Sequence, residues 1–320
     1  MKSKIALIVF STIASFTLFA APYASAASEA TGYTISPVET EITVNKGTSQ
    51  SVELSVQNPA NTTVSVKAVI NDFVASNDES GNPRLILNSN SQLPANNFLS
   101  LVSPISNITL GPLQKVYFPV NITVPLNANS GGYYGAVRFE PTSINQTGNV
   151  GLTASVGSIF LITVPGNLIE KLSLTQLSAA DSKGNPSSFL TSGGVSILTR
   201  LDNTGNIQLQ PFGNIVIKNM FGHIVGSYQF NNAVPRANIL PASIRKFVNP
   251  LTGHSFFGRY TVIETVAYQQ GTGNYITTSA TFYYFPVWFL ILVVAVVALL
   301  AVGIYWLGYR RRAAATPKRK

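Results

Sequence analysis

The 320-residue sequence predicts an all-β protein: two β-sandwich domains in series, followed by one C-terminal transmembrane helix. Three observations carry that expectation. Apolar and polar residues alternate with period two through the interior, as in "QSVELSVQN" at 50–58, which is the signature of half-buried strands. Turn-forming Asn, Gly, Pro and Ser separate these runs at the spacing of about 8–12 residues that sandwiches show. One uncharged stretch, 287–307, is long enough for the roughly 30 Å hydrocarbon core of a bilayer.

Taken in chain order, the first element is a targeting segment. Lys2 and Lys4 precede an uncharged run over 5–21, and "YASAAS" at 23–28 places small residues in an A-x-A arrangement. Residues 1–26 are therefore expected to be a secretory signal cut between Ala26 and Ala27. The first sandwich is expected over 27–165. In its early strands Val52, Leu54 and Val56 point one way while Ser51, Glu53, Ser55 and Gln57 point the other, and Val64, Val66, Ala68 and Ile70 repeat the pattern. "KVYFPVNITVP" at 115–125 extends it through Val116, Phe118, Val120, Ile122 and Val124. Pro119 falls on the opposite side and cannot donate a ladder hydrogen bond, so this strand is expected at a sheet edge.

"VPG" at 164–166 marks the expected boundary, and the second sandwich is expected over 166–285. The two halves look like versions of one another. "NITLGPLQK" at 107–115 shares its Asn-Ile start and its Asn-to-Lys spacing with "NILPASIRK" at 238–246. "VQNPANTTVSVKAV" at 56–69 resembles "LDNTGNIQLQPFGNIV" at 201–216, and "YYGAVRF" matches "FGRYTVIETVAY". Aromatic residues bracket the span, and Arg310, Arg311, Arg312, Lys318, Arg319 and Lys320 follow it. That arrangement predicts a single-pass protein with its N-terminal bulk outside the cell and residues 308–320 as a basic cytoplasmic tail.

Charge excludes some functions. Of 21 Lys and Arg, two lie in the signal and six in the tail, which leaves 21 − 8 = 13 against 12 Asp and Glu. A nearly neutral ectodomain lacks the basic face that nucleic-acid binding requires. The chain has no cysteine, so thiol catalysis and thiolate metal sites are excluded, and ordinary cores must hold the domains.

"SGGYYGAVRFEP" at 130–141 combines glycines and tyrosines, but it lacks the Lys-Ser/Thr and the following helix of a phosphate loop. It reads as a turn entering a strand, with Tyr133 and Tyr134 on opposite faces. One of them, together with Phe256, Phe257 and Tyr260, is a candidate for stacking on sugars, and free strand edges are candidates for strand addition.

Catalytic and metal candidates are sparse. His223 and His254 each sit in a Gly-containing turn without a second histidine at ligand spacing. Asp72, Asp78 and Glu79 form the densest acidic stretch; with Gly81 placed at the invariant glycine of a calcium loop, Leu87 stands where a bidentate Glu belongs, so a solvated hairpin is expected instead. No cofactor is expected. Asn61, Asn107, Asn121 and Asn145 begin N-x-Ser/Thr sequons and are possible glycosylation positions.

The succession "ISPVETEITVNKGTSQSVELSVQNPAN", "SNITLGPLQKVYFPVNITVPLNANSGGYYGAVRF", "VSILTRLDNTGNIQLQPFGNIVIKNMFG" and "FFGRYTVIETVAY", closed by a span and a basic tail, resembles bacterial membrane-anchored envelope proteins of the WxL-interacting type. The likeness runs over nearly the whole mature chain. It implies two tandem immunoglobulin-like domains, the first associated with peptidoglycan and the second with WxL-domain surface proteins, and it transfers no binding residue. The expected function is a non-enzymatic tether or scaffold for cell-wall polymer, surface proteins or both. An adhesin or sensory ectodomain is the alternative, followed by a glycan-active hydrolase, for which Glu140 has no evident carboxylate partner.

Overall fold

Alternation in sequence becomes two faces in space. In Lys115–Thr123 (β7), Phe118, Val120 and Ile122 are buried while Lys115, Tyr117, Pro119 and Asn121 are exposed. The computed structural model describes residues 33–87, 93–142, 156–252, 256–268 and 274–314, the side chains of 311–314 excepted. The signal segment with its Ala26–Ala27 junction, Asn145 and His254 lie outside the described residues.

In the first sandwich one sheet is ordered Thr34–Ser36 (β1), Ser49–Gln57 (β3), β7. The facing sheet runs Glu39–Thr43 (β2), Val156–Val164 (β9), Gly131–Pro141 (β8), Val64–Ala75 (β4), Pro83–Leu85 (β5), with Ile108–Leu110 (β6) also on β4. The second sandwich pairs Leu172–Ala180 (β10), Ser196–Asn203 (β12) and Ser243–Pro250 (β15) in one sheet. Its other sheet runs Phe189–Leu190 (β11), Tyr275–Tyr284 (β17), Gly258–Ala267 (β16), Phe212–Asn219 (β13), Ile224–Phe230 (β14). The repeat read in the sequence is a repeat of topology. In each sandwich an early short strand, β2 or β11, runs parallel to the last strand, β9 or β17, and the remaining neighbours are antiparallel.

Separate cores fill the two sandwiches. The first packs Leu54, Val66, Val120, Phe139 and Phe160, with Phe118 edge-on to Phe139 at 5.2 Å between ring centroids. The second packs Ile197, Leu201, Ile215, Val262 and Phe282. Phe98, Phe139, Phe160, Phe230 and Phe282 are fully buried, and truncating any one to Ala typically costs about 3–5 kcal/mol. Cores of this kind stabilise the domains without disulfides. Pro119 faces Glu53 on β3, and β7 is the edge of its sheet, so the missing N–H breaks no ladder.

β17 leads through Phe285 and Pro286 into the helix Val287–Ala314 (α1). Within it, 287–310 is long and apolar enough to cross a membrane and is uncovered by the rest of the chain. At about 1.5 Å per residue its 24 residues span roughly 36 Å. A helix apolar all round and left unpacked fits a single-pass membrane anchor.

Candidate binding surfaces

The Gly-Gly-Tyr-Tyr-Gly stretch is where the two sandwiches meet. Gly131 has φ 134, and a Cβ there would lie 2.9 Å from the Asn206 carbonyl oxygen of the second sandwich. Only a residue without a side chain lets the two backbones come this close. The amide of the next residue, Gly132, donates to that same carbonyl at 2.8 Å. Farther along, a Cβ on Gly135 would collide with the ring of Phe98, so this glycine is the flat seat on which Phe98 reaches Phe160, 5.5 Å away.

Tyr133 and Tyr134 do point to opposite faces, and neither is free for a sugar. Tyr133 is 4% exposed within the first core, and its hydroxyl donates to the Asn129 carbonyl at 3.1 Å. Tyr134 points toward the second sandwich and donates to Gln208 Oε1 at 2.9 Å. Burial holds its phenol well above the ordinary tyrosine range, so it remains a donor. Gln208 Nε2 passes the connection on to Glu41 Oε1 at 2.8 Å, and Gln210 Nε2 donates to Glu41 Oε2 at 3.0 Å. Glu39, two residues earlier on the same face of β2, accepts from Asn238 Nδ2 at 3.2 Å. Burial and the neighbouring Glu41 charge push its carboxyl up.

A second band of contacts lies at the β4–β5 hairpin. The acidic stretch is a hairpin, with Ala75 opposite Pro83; Asn77 and Asp78 at its tip are exposed, while Glu79 docks on the second sandwich. Glu79 accepts from Arg200 Nε at 2.7 Å, and its carbonyl accepts from the Lys246 amide at 2.8 Å. Between the two bands, Phe73 and Leu161 of the first sandwich bury Leu240 of the second. Cavities of about 240 and 420 Å³ flank this cluster and share Phe73 and Leu240 in their walls. Asp72 is fully buried. Its Oδ1 accepts from the Phe98 amide, pinning the one-turn 3-10 helix Phe98–Ser100 to β4, and burial raises its pKa.

The remaining aromatic candidates also have structural roles. Phe256 and Tyr260 are 7% and 8% exposed, both in the second core, with ring centroids 5.1 Å apart. Phe257 is half-exposed and packs on Phe289 of α1 at 4.9 Å. Glu140 pairs with Arg138 at 2.9 Å. His223 is exposed at the β13–β14 turn. Among the described residues no three His, Asp or Glu side chains come together as a metal site. Asn61, Asn107 and Asn121 are exposed.

Sequence reading passed over Glu264, which is fully buried on the inner face of β16. Thr199 Oγ1 of the opposite sheet donates to its Oε2 at 2.7 Å, while Oε1 is buried without a partner. Burial pushes its pKa up to about 7. The signal was present: Tyr260, Val262, Glu264 and Val266 alternate inward, so period two places a carboxyl in the core. Period two also puts Gln208 and Gln210 on one side of "NIQLQP", opposite the buried Ile207 and Leu209.

Sheet edges differ in how they are blocked. β7 carries Lys115 and Pro119, and its far end is bridged by Val102 opposite Ile122. β15 carries Arg245, Lys246 and Pro250 and accepts the Glu79 hairpin. β2 faces the second sandwich through Glu39 and Glu41. β10 lies against β17. Among the described residues β14 has none of these devices: "IVGSYQF" holds no charge and no proline, and beyond a bulge at Val225 its five residues from Gly226 to Phe230 pair regularly with β13 as the last strand of the sheet. Such an edge is a template for another strand.

No protein-family model matches the chain, and no curated protein matches it. Among solved structures it is similar to the class 5 fimbriae chaperone CfaA, at 14% identity and TM-score 0.40 over 78% of this chain and 98% of that one. It is similar also to the E. coli chaperone DraB, at 14% and 0.34 over 78% and 96%, and to a Salmonella enterica structure of SafA pilin with the SafB chaperone, at 12% and 0.35 over 78% and 96%. Identities and TM-scores at this level say nothing about what this chain binds.

Proposed function

We propose that this chain is a non-enzymatic, membrane-anchored scaffold of the cell surface that captures an extended segment of another surface protein along the outer edge of β14. The observation that carries the reading is that edge: among the described residues it holds no charge and no proline, and its ladder runs to β13 alone. It lies on a sandwich locked to its neighbour at one end and continuous with an apolar helix at the other. Main-chain hydrogen bonds along an edge supply affinity, and the side chains on either face supply choice of partner. In this reading residues 1–26 direct export, α1 spans the membrane once, and the basic tail stays in the cytoplasm. The resemblance to WxL-interacting proteins favours the same division of labour: a surface protein on the second sandwich, and cell-wall polymer on the first. The carboxylates suited to hydrolysis are engaged otherwise, Glu140 by Arg138 and Glu264 inside a core.

The test is photo-crosslinking in intact cells from a reactive side chain at Ser227 on β14, compared with Thr265 of β16, which is paired on both sides, beside co-sedimentation of the purified chain with isolated peptidoglycan. A discrete protein adduct from position 227 and none from 265 is expected. Sedimentation with the wall and no adduct from 227 would replace edge capture by a wall tether acting through another surface.

A further inference from the structure

The register of the five-stranded sheet brings its apolar loop tips to one end. Leu190 of β11 lies opposite Tyr284 of β17, Tyr284 opposite Gly258 of β16, Asn219 of β13 opposite Tyr260, and Lys218 opposite Ile224 of β14. The ends of five strands therefore line up across the same rim from which α1 departs, three residues beyond Tyr284. Neighbouring strands are about 4.8 Å apart, so β14 stands roughly 14 Å along this rim from the root of the helix.

The rim is apolar where a soluble domain would be polar. At the β13–β14 turn Met220, Phe221 and Ile224 are 52%, 77% and 64% exposed, and the Met220 methyl lies directly over Gly258. Phe189 and Phe257 are also exposed there. Phe189 packs on Phe285 at 5.9 Å, and Phe257 on Phe285 at 5.6 Å and on Phe289, in the first turn of α1, at 4.9 Å. Trp288 stands at the same level, beside a cleft of about 480 Å³ bounded by Gly193, Gly194, Phe257 and Tyr284. Lys218, His223 and Arg259 are the basic groups of the rim, and 187–196, 216–227, 256–261 and 281–290 contain no Asp or Glu.

We infer that this rim is a membrane-contact surface: the second sandwich sits on the bilayer, with Met220, Phe221 and Ile224 inserted among the headgroups beside the span. The inference rests on the reading of α1 as a membrane anchor. The occupant is a lipid leaflet because the patch is continuous with the span itself, and a surface held within one helical turn of a bilayer meets lipid before anything else. Aromatic and aliphatic tips with neighbouring cations are the composition that settles at the interface, where apolar groups lie about 5–10 Å deep and cations meet anionic lipid.

The chain has no native cysteine, so single nitroxide labels can be placed on the full-length protein in vesicles of phosphatidylcholine and phosphatidylglycerol. Phe221→Cys and Phe189→Cys report the rim, Tyr275→Cys the opposite end of β17, and Leu299→Cys the middle of the span. Labels at 221 and 189 are expected to be relaxed more by oxygen than by a water-soluble nickel chelate, at headgroup depth, with 275 in water and 299 deep. Depth at 299 with 221 and 189 as wet as 275 would overturn the membrane seat and leave the anchor standing. Water exposure at 299 would overturn the anchor, and the seat with it.

Discussion

A carboxyl in a hydrophobic core is held there by its proton. Glu264 bridges the two sheets of the second sandwich through Thr199, and burial raises its pKa from 4.5 to about 7. The unfolded chain releases this proton near pH 4.5, whereas the folded chain keeps it until about pH 7. Between those values the native state binds more protons than the unfolded one, so stability falls as pH rises through the window and levels off above it. At about 1.4 kcal/mol per pKa unit the difference is about 3 kcal/mol. Glu264→Gln, neutral at every pH and still able to accept from Thr199, is expected to remove that slope. Denaturant titrations at pH 5 and pH 8, followed by circular dichroism, check it; equal slopes in variant and parent would mean that Glu264 is ionised in the folded state.

At the level of elements, the same device closes the same corner of both sandwiches. Asn58, at the end of β3, donates to the carbonyls of Thr62 and Gly111 and accepts from the Ala60 amide. Asn203, ending β12, donates to Ile207 and Ile239 and accepts from Gly205. Both are buried to within 1% exposure. Asn203→Ala would strand the Ile207 carbonyl and the Gly205 amide, each at about 1–3 kcal/mol, and leave the Ile239 carbonyl with the Leu209 amide alone. An overall loss of about 3 kcal/mol is expected in equilibrium denaturation, and a loss under 1 kcal/mol would mean that water replaces the side chain. Alternation made most strands legible, and the Asn-rich turns made the repeat legible. The alignment of 107–115 with 238–246 is nevertheless out of step with the fold. The left-handed residues just before β7 and β15, Leu113 and Ala242, are 129 positions apart, while the matched motifs are 131 apart. Two-residue slips preserve the inward face of a strand, so periodicity cannot detect them. The surroundings of Tyr134 were illegible for a related reason: alternation says that Tyr133 and Tyr134 face opposite ways but not that the outer face is covered by the second sandwich. That contact joins residues such as Glu41 and Gln208 that no local pattern links.

For the whole molecule the decisive property is whether two sandwiches act as one body. Their seam combines a buried apolar cluster, Phe73, Leu161 and Leu240, the chain from Tyr134 through Gln208 to Glu41, and a direct backbone bond from Gly132 to Asn206. The Glu79–Arg200 pair is partly exposed, and at that exposure it is worth no more than about 1 kcal/mol, so it orients the hairpin more than it holds the seam. Backbone bonds, here Gly132 to Asn206 and Lys246 to Glu79, are the parts that cannot be adjusted by a side-chain rotation, and Gly131 is what permits the first. Gly131→Val adds a branched side chain at a positive φ and within reach of the Asn206 carbonyl. Gly131 stands at the very start of β8, opposite Val164 at the end of β9, so each sandwich is expected to keep its own fold while the docking loosens. Nitroxides on Asn61→Cys in the first sandwich and Ser227→Cys in the second, measured by double electron–electron resonance, should give one narrow distance distribution in the parent. The same pair in Gly131→Val should give a broad one. A rigid body would transmit the position of a partner held on β14 to the first sandwich and whatever it contacts, whereas a loosened one would leave the two sites independent. If the Gly131→Val distribution stayed narrow, the apolar cluster and the Glu41 contacts would be sufficient to fix the domains, and the glycine pair would be a relic of the turn and not the hinge pin of the scaffold.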